Sequence, residues 1–168
     1  MATDGTLYAY AQGLTYTLYK STDDGYGWSY IDNVEDSIAG IAVSPNDPNR
    51  LYYATTSNVY RSTDGGKTFA SLPANPDGAG SNNIEITSID VTWLNENIIN
   101  IGTRDTDSFQ FDGVYTLDED EISFTWTDTA AGNYDVYAVA FSPNFMSDRQ
   151  LTAVVTDETD TYAPLPHL

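Results

Sequence analysis

The chain has 168 residues, of which 25 are acidic and 6 basic, giving a formal charge of −19, with 13% aromatic residues and no cysteine. That length suits one domain with a real core, and the aromatic content is too high for a disordered acidic tail. The six bases, Lys20, Arg50, Arg61, Lys67, Arg104 and Arg149, are scattered singly and cannot track phosphates, which excludes nucleic acid and anionic membranes as partners; absent cysteine excludes disulfides and thiolate metal sites, and no apolar run reaches the roughly 18 residues of a membrane span.

In chain order, Met1–Asp4 lead straight into domain-like sequence with no recognisable signal peptide. Short segments rich in Val, Ile, Thr, Tyr and Phe follow, separated by turn residues, and no longer window carries a helical period. Strands are therefore predicted at 6–11, 16–20 and 28–31, then at 38–44, 51–55, 59–62 and 69–72. A third group is predicted at 86–93, 98–102, 113–117 and 123–127, and a fourth begins with 136–142 and 151–155. This divides a single domain, 1–162, into a partial unit 1–31, whole units 38–72 and 86–127, a partial unit 136–155 and a Pro-rich tail 163–168.

The units repeat. Leu18-Tyr19-Lys20 runs into Ser21-Thr22-Asp23-Asp24-Gly25-Tyr26-Gly27-Trp28, and Val59-Tyr60-Arg61 runs into Ser62-Thr63-Asp64-Gly65-Gly66-Lys67-Thr68-Phe69. The two copies are roughly 40 residues apart, a spacing typical of propeller blades. A second motif, Ile38 to Asn46, recurs at Val136 to Asn144, 98 residues or twice 49 later, with Ile86–Leu94 between them in the same register. Four strands per unit of this length predict an all-β fold of four-stranded antiparallel β-propeller blades, about three of them, in an incomplete propeller. The small residues Ala39, Gly40, Ala42, Ala138 and Ala140 on the first strands suit an innermost position at a crowded axis.

The repeated turn has a local mechanism. Asp23 or Asp64 can accept backbone N–H groups of the turn, aided by the hydroxyl of Ser21 or Ser62. Gly25 or Gly66 can take a positive φ, and Trp28 or Phe69 then opens the next strand with a large apolar ring. These residues resemble the Asp-box, or BNR repeat, of sialidase-like, sortilin-like and xyloglucanase-like propellers and of photosystem assembly-factor propellers. The resemblance covers about residues 6–155 and implies that the box joins the third and fourth strands of a blade and is structural. The third unit departs from it: Asp118-Glu119-Asp120-Glu121 precedes Phe124 and Trp126 without a glycine. Four carboxylates in a row could take Ca²⁺, but no Asp-x-Asp-x-Asp-Gly loop is present, so a solvated turn is expected and no cofactor is assigned.

Strand alternation puts the boxes at one end of the blades and the two longest loops, Pro73–Asn83 and Thr103–Asp112, at the other. Loops over a rigid scaffold are where binding concentrates. Arg104, Asp105, Asp107, Phe109 and Phe111 are thus the candidate ligand or partner surface, with a loop whose two Phe rings cap the blade as the bland alternative. No catalytic residue is assigned. A sialidase-like site needs an arginine cluster, and Arg50 and Arg149, read as equivalent repeat positions, sit at the box end away from Arg104. Asp90, in an otherwise apolar strand, is the least ordinary carboxylate; a hydrogen-bonded or solvent-facing role is expected for it. The sole histidine, His167, lies in the tail, and no Asn-x-Ser/Thr sequon occurs.

The expected function is a non-catalytic structural or interaction module of an extracellular or cell-surface protein, of the surface-layer or filament kind. Lysine scarcity, acidity and abundant Tyr, Thr, Asn and Asp motivate this. The alternatives are part of a propeller glycoside hydrolase, a carbohydrate-binding module and a protein assembly factor. The expected partners are further blades of a longer chain or further copies of this one, with carbohydrate or protein as possible ligands.

Overall fold

A computed structural model describes residues 1–72, 75–81, 83–119 and 125–163. Strands β1 (Leu7–Tyr10), β2 (Leu18–Ser21) and β3 (Ser29–Asp32) form the first antiparallel sheet. The second contains β4 (Gly40–Val43), β5 (Leu51–Ala54), β6 (Val59–Ser62) and β7 (Ala70–Ser71). The third contains β8 (Ile84–Leu94), β9 (Glu96–Asp105), β10 (Val114–Asp118) and β11 (Thr127–Asp128). The fourth is β12 (Asp135–Phe141), β13 (Leu151–Thr156) and β14 (Thr161–Tyr162). Each sheet runs in sequence order from its first strand outward. The first strands line up, with β4 packed between β1 and β8, and β8 between β4 and β12. The fold is an all-β array of propeller blades.

Both faces of a middle strand are covered by neighbouring sheets, which is why Leu51-Tyr52-Tyr53-Ala54 is apolar throughout rather than alternating. Tyr52 and Ala54 join Ile86, Ile99, Ile101 and Leu117 in the largest core, between the second and third sheets. Leu51 packs with Ala2 and Val43, and Tyr53 with Leu18 and Val34, toward the first sheet. Val114, Val136, Leu151 and Val155 fill the space between the third and fourth. Each fully buried leucine in these layers contributes about 2–3 kcal/mol.

Several boundaries differ from the sequence reading. The fourth sheet gains a third strand, β14, from Thr161 and Tyr162, instead of ending at its second. Strands β8 and β9 extend to a tight hairpin in which Leu94 pairs with Glu96 across Asn95, at φ 66°. Polar Asn97 and Asn100 are fully buried there, so the strand outruns its apolar pattern. Two short helical turns appear, a 3-10 turn at Pro76–Gly78 and α1 (Phe145–Asp148). The insertion that forms α1 also shifts the repeat register. Ser44 N–H donates to Arg50 O, and Ser142 N–H donates to Gln150 O. Gln150, not Arg149, is therefore the counterpart of Arg50. Predicted strand 123–127 is represented by β11; residues 120–124 and 164–168 lie outside the described residues.

The two Ser-x-Asp-x-Gly turns fold as nearly identical staples between β2 and β3 and between β6 and β7. Ser21 Oγ donates to Asp23 Oδ1 at 2.7 Å and accepts Gly25 N–H at 2.9 Å; Ser62 Oγ does the same with Asp64 and Gly66 at 2.8 and 2.9 Å. Asp23 Oδ1 accepts Gly27 N–H, and Asp64 Oδ1 accepts Lys67 and Thr68 N–H. Gly66 sits at φ +91°, which a side chain would strain. Phe69 packs edge-on against Tyr53 at 4.8 Å between centroids. Trp28 remains 44% exposed, and its indole N–H donates to Gly25 O, so it closes the turn rather than filling the core. Hydrogen bonds to the ionised form hold both carboxyls below the usual range. For Asp23 the leading cause is Gly27 N–H; for Asp64 it is the Thr68 hydroxyl, and the result is about 2.

Candidate functional site

The end opposite the staples carries the two long loops, and they are bonded to each other. Asn83, at φ 63°, accepts the Thr106 N–H and hydroxyl through its carbonyl, at 2.9 and 3.1 Å. Its side-chain amide donates to Asp107 Oδ2 at 2.7 Å. Asp107 N–H in turn donates to Asp105 Oδ1 at 2.8 Å. At the loop's base Thr103 Oγ1 and N–H both donate to Gly113 O. Asp135, 3% exposed at the start of β12, accepts Asp105 N–H at 2.9 Å. Burial pushes the Asp135 carboxyl up, and N–H groups of Asp105 and Asp112 counter this only in part.

The five residues predicted as a binding surface separate into different roles. Arg104 and Asp105 belong to β9 rather than to the loop. Arg104 forms an ion pair with Glu85 Oε2 at 2.7 Å, and bonds to Glu85 and Tyr137 raise its pKa further. Asp105 serves the loop's own turn, and Asp107 ties it to Asn83 of the other loop. Phe111 is half-buried, whereas Phe109 is 77% exposed. Phe109 sits at φ 60° with its N–H donating to Glu158 Oε1 at 2.8 Å. The loop therefore does not cap the blade with both rings; it holds one aromatic outward.

Beside this loop a cleft of about 460 Å³ opens between the second and third sheets, lined by Thr56, Ser57, Ser81, Asn83, Glu85 and Thr106. Hydroxyls and an amide dominate it, and its one carboxylate is already paired with Arg104. Such a lining suits a neutral, hydrogen-bonding ligand or a polar protein surface. Pro73, Ala74 and Asn82 of the neighbouring loop lie outside the described residues.

Asp90 lines a different cavity, of about 360 Å³, among the first strands at the axis, together with Tyr8, Thr92 and Ser142. Its Oδ2 accepts Phe141 N–H at 2.8 Å and its Oδ1 accepts Val91 N–H at 2.9 Å. Burial raises its pKa against those two bonds. It is the lone acidic residue in the lining among the described residues, whereas glycoside hydrolysis ordinarily uses a pair.

Sequence reasoning missed Glu119. Expected in a solvated turn, its side chain is 5% exposed and bridges two sheets. It accepts from Arg50 at 2.8 Å, from Arg61 at 2.9 Å and from Asn97 at 3.0 Å. Tyr52 is buried beside it, which pushes the phenol well above its ordinary range. A run of four acidic residues gives no local sign of which one turns inward. The signal lay elsewhere, in two arginines placed on one edge of the preceding unit. Asp120 and Glu121 lie outside the described residues.

No protein-family model and no curated protein sequence matches the chain. Solved structures do resemble it. An ancestral GH74 enzyme superposes with a TM-score of 0.62 at 18% identity, over 95% of this chain and 21% of that one. The GH74 enzyme of Niastella koreensis gives 0.56 at 20%, over 92% and 24%. YCF48 from Cyanidioschyzon merolae gives 0.53 at 15%, over 90% and 48%. All three are propeller proteins, and the likeness is one of fold. The chain spans under a quarter of the length of the two GH74 enzymes and about half that of YCF48.

Proposed function

We propose that the chain is a non-catalytic interaction module of the Asp-box propeller type, working on the extracellular or cell-surface side, whose loop end docks a neutral polar ligand such as a glycan or a protein surface. The observation that carries this reading is Phe109, 77% exposed on a loop held at both ends by buried Thr103 and Asp135. An aromatic ring fixed outward loses little conformational freedom on binding, the economy that makes such residues frequent anchors. The polar cleft next to it would supply directional hydrogen bonds. The buried carboxylates support a non-catalytic role, because Asp90, Glu119 and Asp135 are each engaged by backbone N–H or arginine. The surface setting rests on the charge of −19 and on Lys20 and Lys67 being the only lysines; extracellular proteolysis of intact cells tests it.

The decisive experiment incubates the protein with soluble β-linked glucans and measures both retardation in affinity electrophoresis and release of reducing ends. Retardation without new reducing ends, abolished by Phe109→Ala, is the expected result. Release of reducing ends that disappears in Asp90→Asn would replace the proposal with a glycoside hydrolase.

A further inference from the structure

A cavity of about 490 Å³ opens at the stapled end between the third and fourth sheets. Ile98 and Phe145 give it an apolar floor, and Thr116, Asp118, Asp128 and Arg149 give it a polar wall. Arg149 is the unusual member. Arg50, Arg61 and Arg104 each hold a carboxylate. Arg149 instead stands 5.7 Å from the Phe145 ring centroid, at φ 55°, with no carboxylate partner among the described residues. In so acidic a chain that is a positive charge left for something else.

The rest of the wall is made of acceptors. The Thr116 hydroxyl donates its proton to Asn100 Oδ1, so its lone pairs remain available to the cavity. Asn100 is fully buried behind it, and its Nδ2 has no hydrogen-bond partner among the described residues. The Thr129 hydroxyl, also in the lining, donates to Val114 O. Asp128 adds a carboxylate, whose Oδ1 accepts Ala130 N–H at 2.8 Å and whose Oδ2 completes the wall. One donor cation thus faces several acceptors across an apolar floor.

We propose that this cavity binds an apolar zwitterion, of which an α-amino acid with a branched or aromatic side chain is the simplest. Its carboxylate pairs with Arg149, its ammonium with Asp128 and Thr116, and its side chain lies on Ile98 and Phe145. The guanidinium presents a planar fork matched to a carboxylate, and charge-assisted bonds at both ends fix the orientation. This site is separate from the loop-end surface and does not depend on it.

Titration calorimetry on the 168-residue chain tests it with L-leucine, with 4-methylpentanoate, which lacks the ammonium, and with 3-methylbutylamine, which lacks the carboxylate. L-leucine should bind saturably with a Kd on the order of 0.1–1 mM, and each truncated analogue about tenfold or more weaker. Arg149→Gln should weaken L-leucine and 4-methylpentanoate about tenfold while leaving 3-methylbutylamine unchanged, a split that a misfolded variant would not produce. Lys67→Gln, at an exposed lysine outside the lining, should leave all three unchanged. Absence of saturation by both L-leucine and L-phenylalanine, equal affinity for L-leucine and 3-methylbutylamine, or a uniform loss in Arg149→Gln would each overturn the assignment.

Discussion

Glu119→Ala is the perturbation that most directly tests how the blades are held together. The carboxylate has three donors, at 2.8, 2.9 and 3.0 Å, and is 5% exposed, while the arginine side chains are 32% exposed. Removing one partner of a fully buried ion pair costs about 3–5 kcal/mol. Here the guanidiniums can partly rehydrate, so about half of that, ~2 kcal/mol, is the better figure. Fully buried Asn97 also loses its acceptor, adding about 1 kcal/mol. The expected loss is therefore ~3 kcal/mol, or a fall in Tm of about 6–12 °C for a chain this size. Thermal and urea unfolding of Glu119→Ala would measure it, with Glu85→Gln as the comparison. The Glu85–Arg104 pair is exposed on both sides, 38% and 36%, and should be worth less than about 1 kcal/mol and fade with salt. A loss in Glu119→Ala no larger than that, or one equally sensitive to salt, would refute the clamp. A double-mutant cycle with Arg61→Met should show coupling above about 0.5 kcal/mol.

Three further outcomes follow from the geometry. Asp64 has a folded pKa of about 2, below its unfolded value, so its contribution to stability is complete above about pH 4 and is lost as pH falls toward 2. Asp64→Asn should flatten the dependence of the urea midpoint on pH across that window, while Asp90 and Asp135, whose pKa values are raised, oppose it in sign. A Cβ on Gly102 would lie 2.5 Å from Val136 Cγ1 and 2.7 Å from Ser88 Oγ, so Gly102→Ala should cost about 1–3 kcal/mol in equilibrium unfolding. Phe109→Ala should change stability by less than about 0.5 kcal/mol, because the ring touches solvent, yet remove ligand retardation at the loop end.

The fold was legible because two independent signals agreed. Local turn chemistry at Ser21–Trp28 and Ser62–Phe69 recurred at a blade-length interval, as did the apolar strands, and propeller blades satisfy both. The ends of elements were less legible. β9 runs on through Asn97, Arg104 and Asp105 because its partners, rather than its own residues, pair and bury it. The candidate loop was found by its length and composition, but the orientation of each side chain in it was not. Asp105 and Asp107 look like ligands in sequence, but in space Asp105 accepts the Asp107 N–H and Asp107 accepts the Asn83 amide, a distinction set by partners that sequence does not display. Glu119 was hidden for a related reason: its partners lie 58 and 69 residues away.

The loss of the staple in the third unit and the burial of Glu119 have a common physical basis. In the first two units the acidic residue of the turn bends back onto its own backbone, through Asp23 and Asp64, and the turn is stable by itself. In the third, the turn between β10 and β11 lacks the glycine needed for that closure. Its carboxylate instead reaches the preceding sheet, where Arg50 and Arg61 supply the charge that backbone N–H groups supply elsewhere. A short-range bond set is thereby exchanged for an inter-blade one. The stapled end consequently gains rigidity between sheets as well as within them. Among the described residues, the bonds spanning the two long loops of the loop end are Asn83–Thr106 and Asn83–Asp107. Room for adjustment is therefore concentrated at the end that presents Phe109.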